Sequence, residues 1–196
     1  ALQKLAVENR RLEAQIQACT MVEAQSEFLA ARGLPSVPAR VIAKILSASA
    51  HVISIDRGRR DGVSVGAPVI VENGIFIGQV MEVGDTYAKV MLLTDGRSVV
   101  SAEFDQGNGI GGVLNGEYGI SLRMDLIPKD FLVSSGDLVV TSGTSQTIPR
   151  GLPVGIVTRV QAGTSKFFQT AYVQTLVPYQ TLDVVAVLTA VLEPRP

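Results

Sequence analysis

The sequence predicts a mainly β protein with an N-terminal α-helix, organised as a coiled-coil helix followed by two small six-stranded β-barrels. Three features carry that expectation. A helical pattern without Pro or Gly fills residues 1–32, and short Val/Ile-rich runs separated by Gly, Asn and Asp turn signals fill the rest. The third is a duplication: 55–83, IDRGRRDGVSVGAPVIVENGIFIGQVMEV, has a degenerate copy at 132–160, LVSSGDLVVTSGTSQTIPRGLPVGIVTRV. Both copies carry Val-x-x-Gly-x-x-Val (Val63, Gly66, Val69; Val133, Gly136, Val139) and then Gly-x-Val (Gly78, Val80; Gly155, Val157).

The helix is rich in Ala, Leu, Glu, Gln and Arg, all good helix formers. A heptad register puts Leu2, Asn9 and Ile16 at a and Leu5, Leu12 and Cys19 at d, which predicts a dimerisation seam. Asn9 at an a position lowers stability but pairs with its twin in a parallel dimer. The other reading of the same pattern is an amphipathic helix packed on its own domain. Beyond Cys19 the register fails, since Glu23 falls at a and Ser26 at d. Gly33 suits a left-handed C-cap, while Pro35 and Pro38 forbid continuation, so a stalk of about 50 Å ends in a stiff hinge. The sequence begins inside this pattern with no capping residue, which leaves room for an anchor upstream of residue 1.

After Pro38 the period becomes strand-like. Strands are predicted at 40–45, 51–56, 68–71, 75–83, 88–93, 98–104, 110–114, 120–125, 138–141, 155–160, 170–175 and 184–192. Between them stand turn signals such as Asp61-Gly62, Asn73-Gly74, Asp95-Gly96 and Asn115-Gly116. With no helical period intervening, a βαβ architecture is excluded and barrels or sandwiches are indicated. The expected partition is 1–34 coiled-coil helix, 35–55 hinge and first strands pairing with the C-terminal barrel, 56–113 an inserted barrel, and 114–196 the second barrel. The alternative keeps 35–55 in the first barrel with a split near Asn115. Val184-Val185-Ala186-Val187-Leu188 reads as a fully buried closing strand, too short for a bilayer.

Seventeen basic and eighteen acidic residues nearly cancel, so no nucleic-acid partner is expected, and the lack of Trp weakens stacked-base or sugar recognition. One cysteine and one histidine exclude an internal disulfide and a His-rich metal site. No cofactor is expected. His51, Asp95 and Ser142 occur in trypsin-like order, yet Thr141-Ser142-Gly143-Thr144-Ser145 is a poor oxyanion loop and His51 fits a strand end, so no catalytic residue is expected. Gly107-Asn108-Gly109-Ile110-Gly111-Gly112 matches a dinucleotide fingerprint, but a strand and turn follow where a helix is required. The turn from Asp56 to Gly62 lacks the ligands of a calcium loop; its Arg57, Arg59 and Arg60 are instead candidates for a partner contact.

Taken together, the helix, the proline hinge, D-x-G-x-x-D-G-V-x-x-G (Asp56 to Gly66), L-L-T-D (Leu92 to Asp95), G-D-x-V-V-T-S-G (Gly136 to Gly143) and P-x-G-L-P-V-G-x-V (Pro149 to Val157) resemble the MreC family of bacterial rod-shape proteins. Thr144-Ser145-Gln146 and Ile75-Phe76-Ile77 depart locally from the family pattern. The resemblance implies a trypsin-like barrel topology without protease activity, on the periplasmic face of the bacterial inner membrane. It implies a scaffold that organises peptidoglycan-synthesis enzymes and maintains rod shape. Implied partners are a second copy (a homodimer, and filaments), a class B penicillin-binding transpeptidase, MreD, a SEDS glycosyltransferase and the MreB filament system. The competing readings are a periplasmic adaptor of another envelope complex and a degenerate trypsin-like hydrolase.

Overall fold

The computed structural model describes residues 34–47, 50–107, 109–117, 119–161 and 166–189 of the 196-residue chain. The expected seam of Leu2, Leu5, Asn9, Leu12, Ile16 and Cys19 lies outside those residues. The strands are β1 (Ser36–Ser47), β2 (Ala50–Ile55), β3 (Pro68–Val71), β4 (Ile75–Val83), β5 (Ala88–Leu92), β6 (Val99–Phe104), β7 (Gly111–Glu117), β8 (Ser121–Pro128), β9 (Leu138–Thr141), β10 (Pro153–Gln161), β11 (Phe168–Thr175) and β12 (Val184–Leu188). They close into two antiparallel six-stranded barrels, in the orders β1-β12-β3-β4-β5-β2 and β10-β11-β8-β7-β6-β9. The fold class is the one expected for the β region.

The partition is not the expected one. Strands β3 to β5 were expected in an inserted barrel over 56–113, apart from the strands before them. Instead β5 pairs with β2 (Val52 with Met91) and β3 pairs with β12 (Val69 with Val187), so 36–92 and 184–188 form one barrel. The inserted barrel is the downstream one, β6 to β11, which spans 99–175. The alternative split near Asn115 also fails, because Asn115 lies inside β7, paired with Val99. The physical reason is closure. The duplicated unit supplies only two strands of a barrel, and the first copy recruits β1, β2, β5 and the distant β12, while the second recruits β6, β7, β8 and β11.

β1 makes that closure geometrically feasible. Its first half pairs with β12, from Ser36 opposite Leu188 to Arg40 opposite Val184. Past a bulge between Val41 and Ala43, its second half pairs with β2. A bulge adds twist and bends the strand, which lets one strand turn the barrel corner.

The duplication is preserved in three dimensions. Gly66 and Gly136 both adopt left-handed backbone (φ 82° and 101°), and each donates its N–H to the strand after next: Gly66 to the Val80 carbonyl, Gly136 to the Val157 carbonyl, both at 2.8 Å. The return bonds match, Val80 N–H to Ala67 O and Val157 N–H to Asp137 O, both at 2.9 Å. Bulges follow at corresponding places, between Val80 and Glu82 and between Val157 and Arg159.

Alternation of side chains explains both cores. In β5, Ala88, Val90 and Leu92 point into the first barrel, with Lys89 and Met91 between them. β3 and β12 are buried on both faces. Val69, Val71, Val185 and Val187 fill the first barrel, whereas Ile70, Ala186 and Leu188, with Phe76 and Leu93, join the core of the second. The continuous apolar run of β12 therefore has two hydrophobic surfaces to satisfy, as a fully buried closing strand should. With each buried aliphatic side chain contributing about 1.5–3 kcal/mol, this shared face fastens the barrels together.

Candidate functional site

Two of the three polar residues that invited a catalytic reading, His51 and Asp95, meet at the crossing between barrels. The segment Thr94–Ser98 links β5 to β6, and its Asp-Gly turn is set by Asp95 itself: Asp95 Oδ1 accepts the Arg97 N–H at 3.0 Å, and the Ser98 N–H reaches the Asp95 carbonyl at 2.9 Å. Arg97 then grips the carboxylate with Nε on Oδ1 (2.8 Å) and Nη2 on Oδ2 (2.9 Å). The Asp95 side chain is fully enclosed. The Arg97 guanidinium, aided by the His51 and Arg97 backbone N–H groups, outweighs burial and holds its carboxyl at about 2, against 3.8 for a free one.

His51, at the start of β2, is brought next to Asp95, but not as a catalytic pair. Its backbone N–H donates to Asp95 Oδ2 at 2.9 Å, while its ring Nδ1 is 2.9 Å from the Thr94 hydroxyl. Nε2 faces Gly119, where a side chain would collide with the ring. Ser142, just after β9, belongs to a different set: its hydroxyl donates to the Ser101 carbonyl at 3.1 Å and lies 2.9 Å from the Thr144 hydroxyl. A Ser-His-Asp relay needs Nε2 on the serine and the carboxylate on Nδ1. Here both ring positions face other groups, and the three residues serve as structural polar contacts. Among the described residues no cluster of His, Cys, Asp or Glu is suited to a metal. In the glycine-rich stretch the Ile110 N–H donates to the Gly107 carbonyl at 2.9 Å, and the chain runs into a strand at Gly111 rather than a helix.

The arginine turn is built tightly. Asp61 Oδ2 accepts the Gly58 N–H at 3.0 Å, Gly62 closes the turn with φ 83°, and the Arg59 N–H donates to the Gly84 carbonyl at 2.9 Å, pinning it to the β4–β5 turn. Arg57 lies 3.3 Å from Asp56 and 3.9 Å from Asp61. Arg59 and Arg60, both well exposed, share the single carboxylate of Asp85 at 3.5 and 4.0 Å. Two guanidinium groups on one carboxylate leave a positive surface there, though long exposed pairs of this kind hold little energy.

Two features of the second barrel were not read from the sequence. Glu103, buried on β6, is held by Arg150, 47 residues further along the chain, through Nε to Oε1 (2.6 Å) and Nη2 to Oε2 (3.0 Å). At the far end, a cleft of about 560 Å³ opens between the β6–β7 hairpin and the β8–β9 loop. Phe104 and Phe131 stack beneath it with ring centroids 5.3 Å apart, and Asp105, Asp137 and the 89% exposed Leu132 stand around it. The signal was present but faint: Phe131-Leu132 is an apolar pair in a stretch with no strand to bury it.

A family model described as "Rod shape-determining protein MreC, barrel core" matches residues 41–189. The cell shape-determining protein MreC of Caulobacter vibrioides is 33% identical over 162 residues, covering 76% of this chain and 46% of that protein. The chain spans from 34% to 60% of the length of the curated MreC proteins it matches. Among solved structures, one described as "MreC" superposes with a TM-score of 0.79 at 25% identity, covering 89% of this chain and 99% of that one. A chain from a complex between Penicillin-Binding Protein (PBP2) and MreC from Helicobacter pylori shares the fold, with a TM-score of 0.62 at 16% identity, covering 80% of this chain and 99% of that chain.

Proposed function

The chain belongs to the MreC family, and we propose that it acts as a periplasmic scaffold of the cell-elongation machinery, maintaining rod shape by organising peptidoglycan-synthesis enzymes. The family is a structural, shape-determining one rather than a catalytic one. The observation that carries the reading is the shared face of Ile70, Phe76, Leu93, Ala186 and Leu188, which makes one body of two barrels. A scaffold needs fixed spacing between its surfaces. The polar groups at the crossing go to that fixation: His51, Thr94, Asp95 and Arg97 all hold the linker.

In this reading a class B penicillin-binding transpeptidase docks on the β surfaces, and binding favours its active conformation, a population shift that requires no chemistry from the scaffold. The Helicobacter pylori complex of PBP2 with MreC supports such a pairing. In the same reading Leu2, Leu5, Asn9, Leu12, Ile16 and Cys19 form the seam of a homodimer, and the protein also assembles into filaments. The Arg57, Arg59 and Arg60 turn is a partner contact. An upstream single-pass anchor joins the scaffold to MreD, the SEDS glycosyltransferase and, across the membrane, to MreB filaments.

The test places the chain behind a single-pass anchor in rod-shaped cells depleted of their own MreC, followed by affinity capture from envelope extracts. Restored rods and recovery of a class B transpeptidase are expected, with a Ser142→Ala variant capturing it equally. Recovery of secretion components without cell-wall enzymes would overturn the scaffold reading in favour of an adaptor for another envelope complex.

A further inference from the structure

We propose that the cleft at the far end of the second barrel is a docking site for a partner segment carrying one arginine or lysine between apolar residues. The inference rests on the scaffold reading in that the occupant is a protein, but it concerns a surface that reading leaves open.

The chemistry of the walls selects the occupant. The only charged residues among those described around the cleft are Asp105 and Asp137; no lysine or arginine lines it. Asp137 is fixed in orientation, since its Oδ2 accepts the Ser134 N–H at 2.8 Å across the tight Ser134–Asp137 turn. The half-buried Phe131 ring, packed against Phe104, lines the same cleft as these carboxylates. An aromatic ring that shares a cleft with two carboxylates suits a cation, which gains from the ring quadrupole and from the negative charge beside it. A neutral or acidic side chain would gain neither.

The apolar requirement comes from Leu132. It is 89% exposed at the rim, immediately after Phe131 and before Val133, whose side chain packs against the barrel core. A cationic side chain alone leaves that leucine in water, whereas flanking leucines on the occupant cover it. The loop carrying these groups is rigid enough to present them. Gln169 Nε2 donates to the Pro128 and Phe131 carbonyls at 3.1 and 2.7 Å, and the Lys129 N–H reaches the Phe167 carbonyl at 3.0 Å. Low reorganisation on binding follows from such bracing.

The probe is a blocked peptide, Ala-Leu-Arg-Leu-Ala, compared with the same peptide carrying citrulline, which keeps the shape of arginine and removes its charge. Titrated into the 15N-labelled chain, the arginine peptide is expected to shift the amides of Phe104 to Gln106 and Phe131 to Leu138. The citrulline peptide, and the Asp105→Asn/Asp137→Asn double variant, should bind about tenfold more weakly, a difference of roughly 1.4 kcal/mol. Asparagine at 137 still caps the Ser134 N–H, so that variant keeps the fold, which its own spectrum checks. Leu132→Ser, at a fully solvated position, should weaken binding as well. Equal binding of the two peptides, shifts mapping elsewhere, or no shift at millimolar peptide would overturn the proposal. So would a concentration-dependent dimer lost in the double variant, which would make a second copy the occupant. None of these outcomes depends on capture of cell-wall enzymes, so this inference and the scaffold reading fail separately.

Discussion

The backbone N–H of His51 donates to Asp95 Oδ2 at 2.9 Å, tying the start of β2 to the linker through which the chain leaves the first barrel for the second. Since β12 returns only after the second barrel is complete, this bond, the Arg97 grip and the apolar face around Ile70 and Leu188 fix the crossing point. A buried carboxylate is tolerated there because it accepts from one side chain and two backbone N–H groups.

That arrangement predicts an acid-sensitive crossing. Asp95 titrates at about 2 folded and 3.8 free, a lowered value, so its stabilisation is complete above about pH 4 and is lost as pH falls through 2. The difference corresponds to about 2 kcal/mol. Denaturant unfolding of the Asp95→Asn variant should show a loss of about this size at pH 7 and a much smaller gap from the parent chain at pH 2. A gap independent of pH would mean that shape, not charge, is what Asp95 supplies.

A second prediction concerns Gly119, which has φ 73° and leaves no room for a side chain beside the His51 ring. Gly119→Ala combines left-handed strain of roughly 1–2 kcal/mol with a clash against a buried imidazole. Adding His51→Ala should recover the clash and leave the strain, so a double-mutant cycle reads a favourable coupling of about 1 kcal/mol or more. Zero coupling would separate Gly119 from His51.

How much of this was legible depends on the range of the interaction. The twelve strands and the turns between them follow from alternation and Gly/Asn/Asp signals, which are local, and each predicted strand overlaps an observed one. The paired glycines 66 and 136 were visible because their left-handed turns leave few alternatives to Gly. Barrel membership was not visible, because Val69 opposite Val187 is a contact across more than a hundred residues and β3 would read the same in either barrel. The Glu103–Arg150 pair and the Phe104–Phe131 cleft were missed for that reason. His51 and Asp95 were weighed as part of a catalytic order and set aside, but the contact they do make was not legible, since sequence order cannot reveal a backbone N–H donor to a carboxylate 44 residues away.

The Glu103–Arg150 pair yields a third prediction. Glu103 is 7% exposed, whereas the Arg150 side chain is largely in solvent, so the two ends of the bond are unequal. Arg150→Ala strands a buried carboxylate and should cost about 2 kcal/mol, while Glu103→Gln leaves an acceptor and should cost less. In the Arg150→Ala/Glu103→Gln double variant part of the loss should return. Thermal melts of the four proteins decide it; equal losses for both single changes would contradict the asymmetry.

Leu126 gives the last prediction. It sits in the left-handed region at φ 63°, a conformation rare for a leucine, yet its side chain is 54% exposed. The cause is the β8–β11 register, in which Met124 opposes Ala171 and Ile127 opposes Gln169, so β8 carries one extra residue there. A bulge of this form favours glycine at the left-handed position. Replacing Leu126 with Gly removes strain of roughly 1–2 kcal/mol and gives up little buried surface, although the added freedom of the unfolded chain returns part of that gain. The variant should therefore melt at or above the parent temperature, whereas Leu126→Val, β-branched at the same backbone angles, should melt clearly below it. If Gly at 126 proves strongly destabilising, the leucine side chain is holding the bulge in place, and the exposure of Leu126 understates its packing.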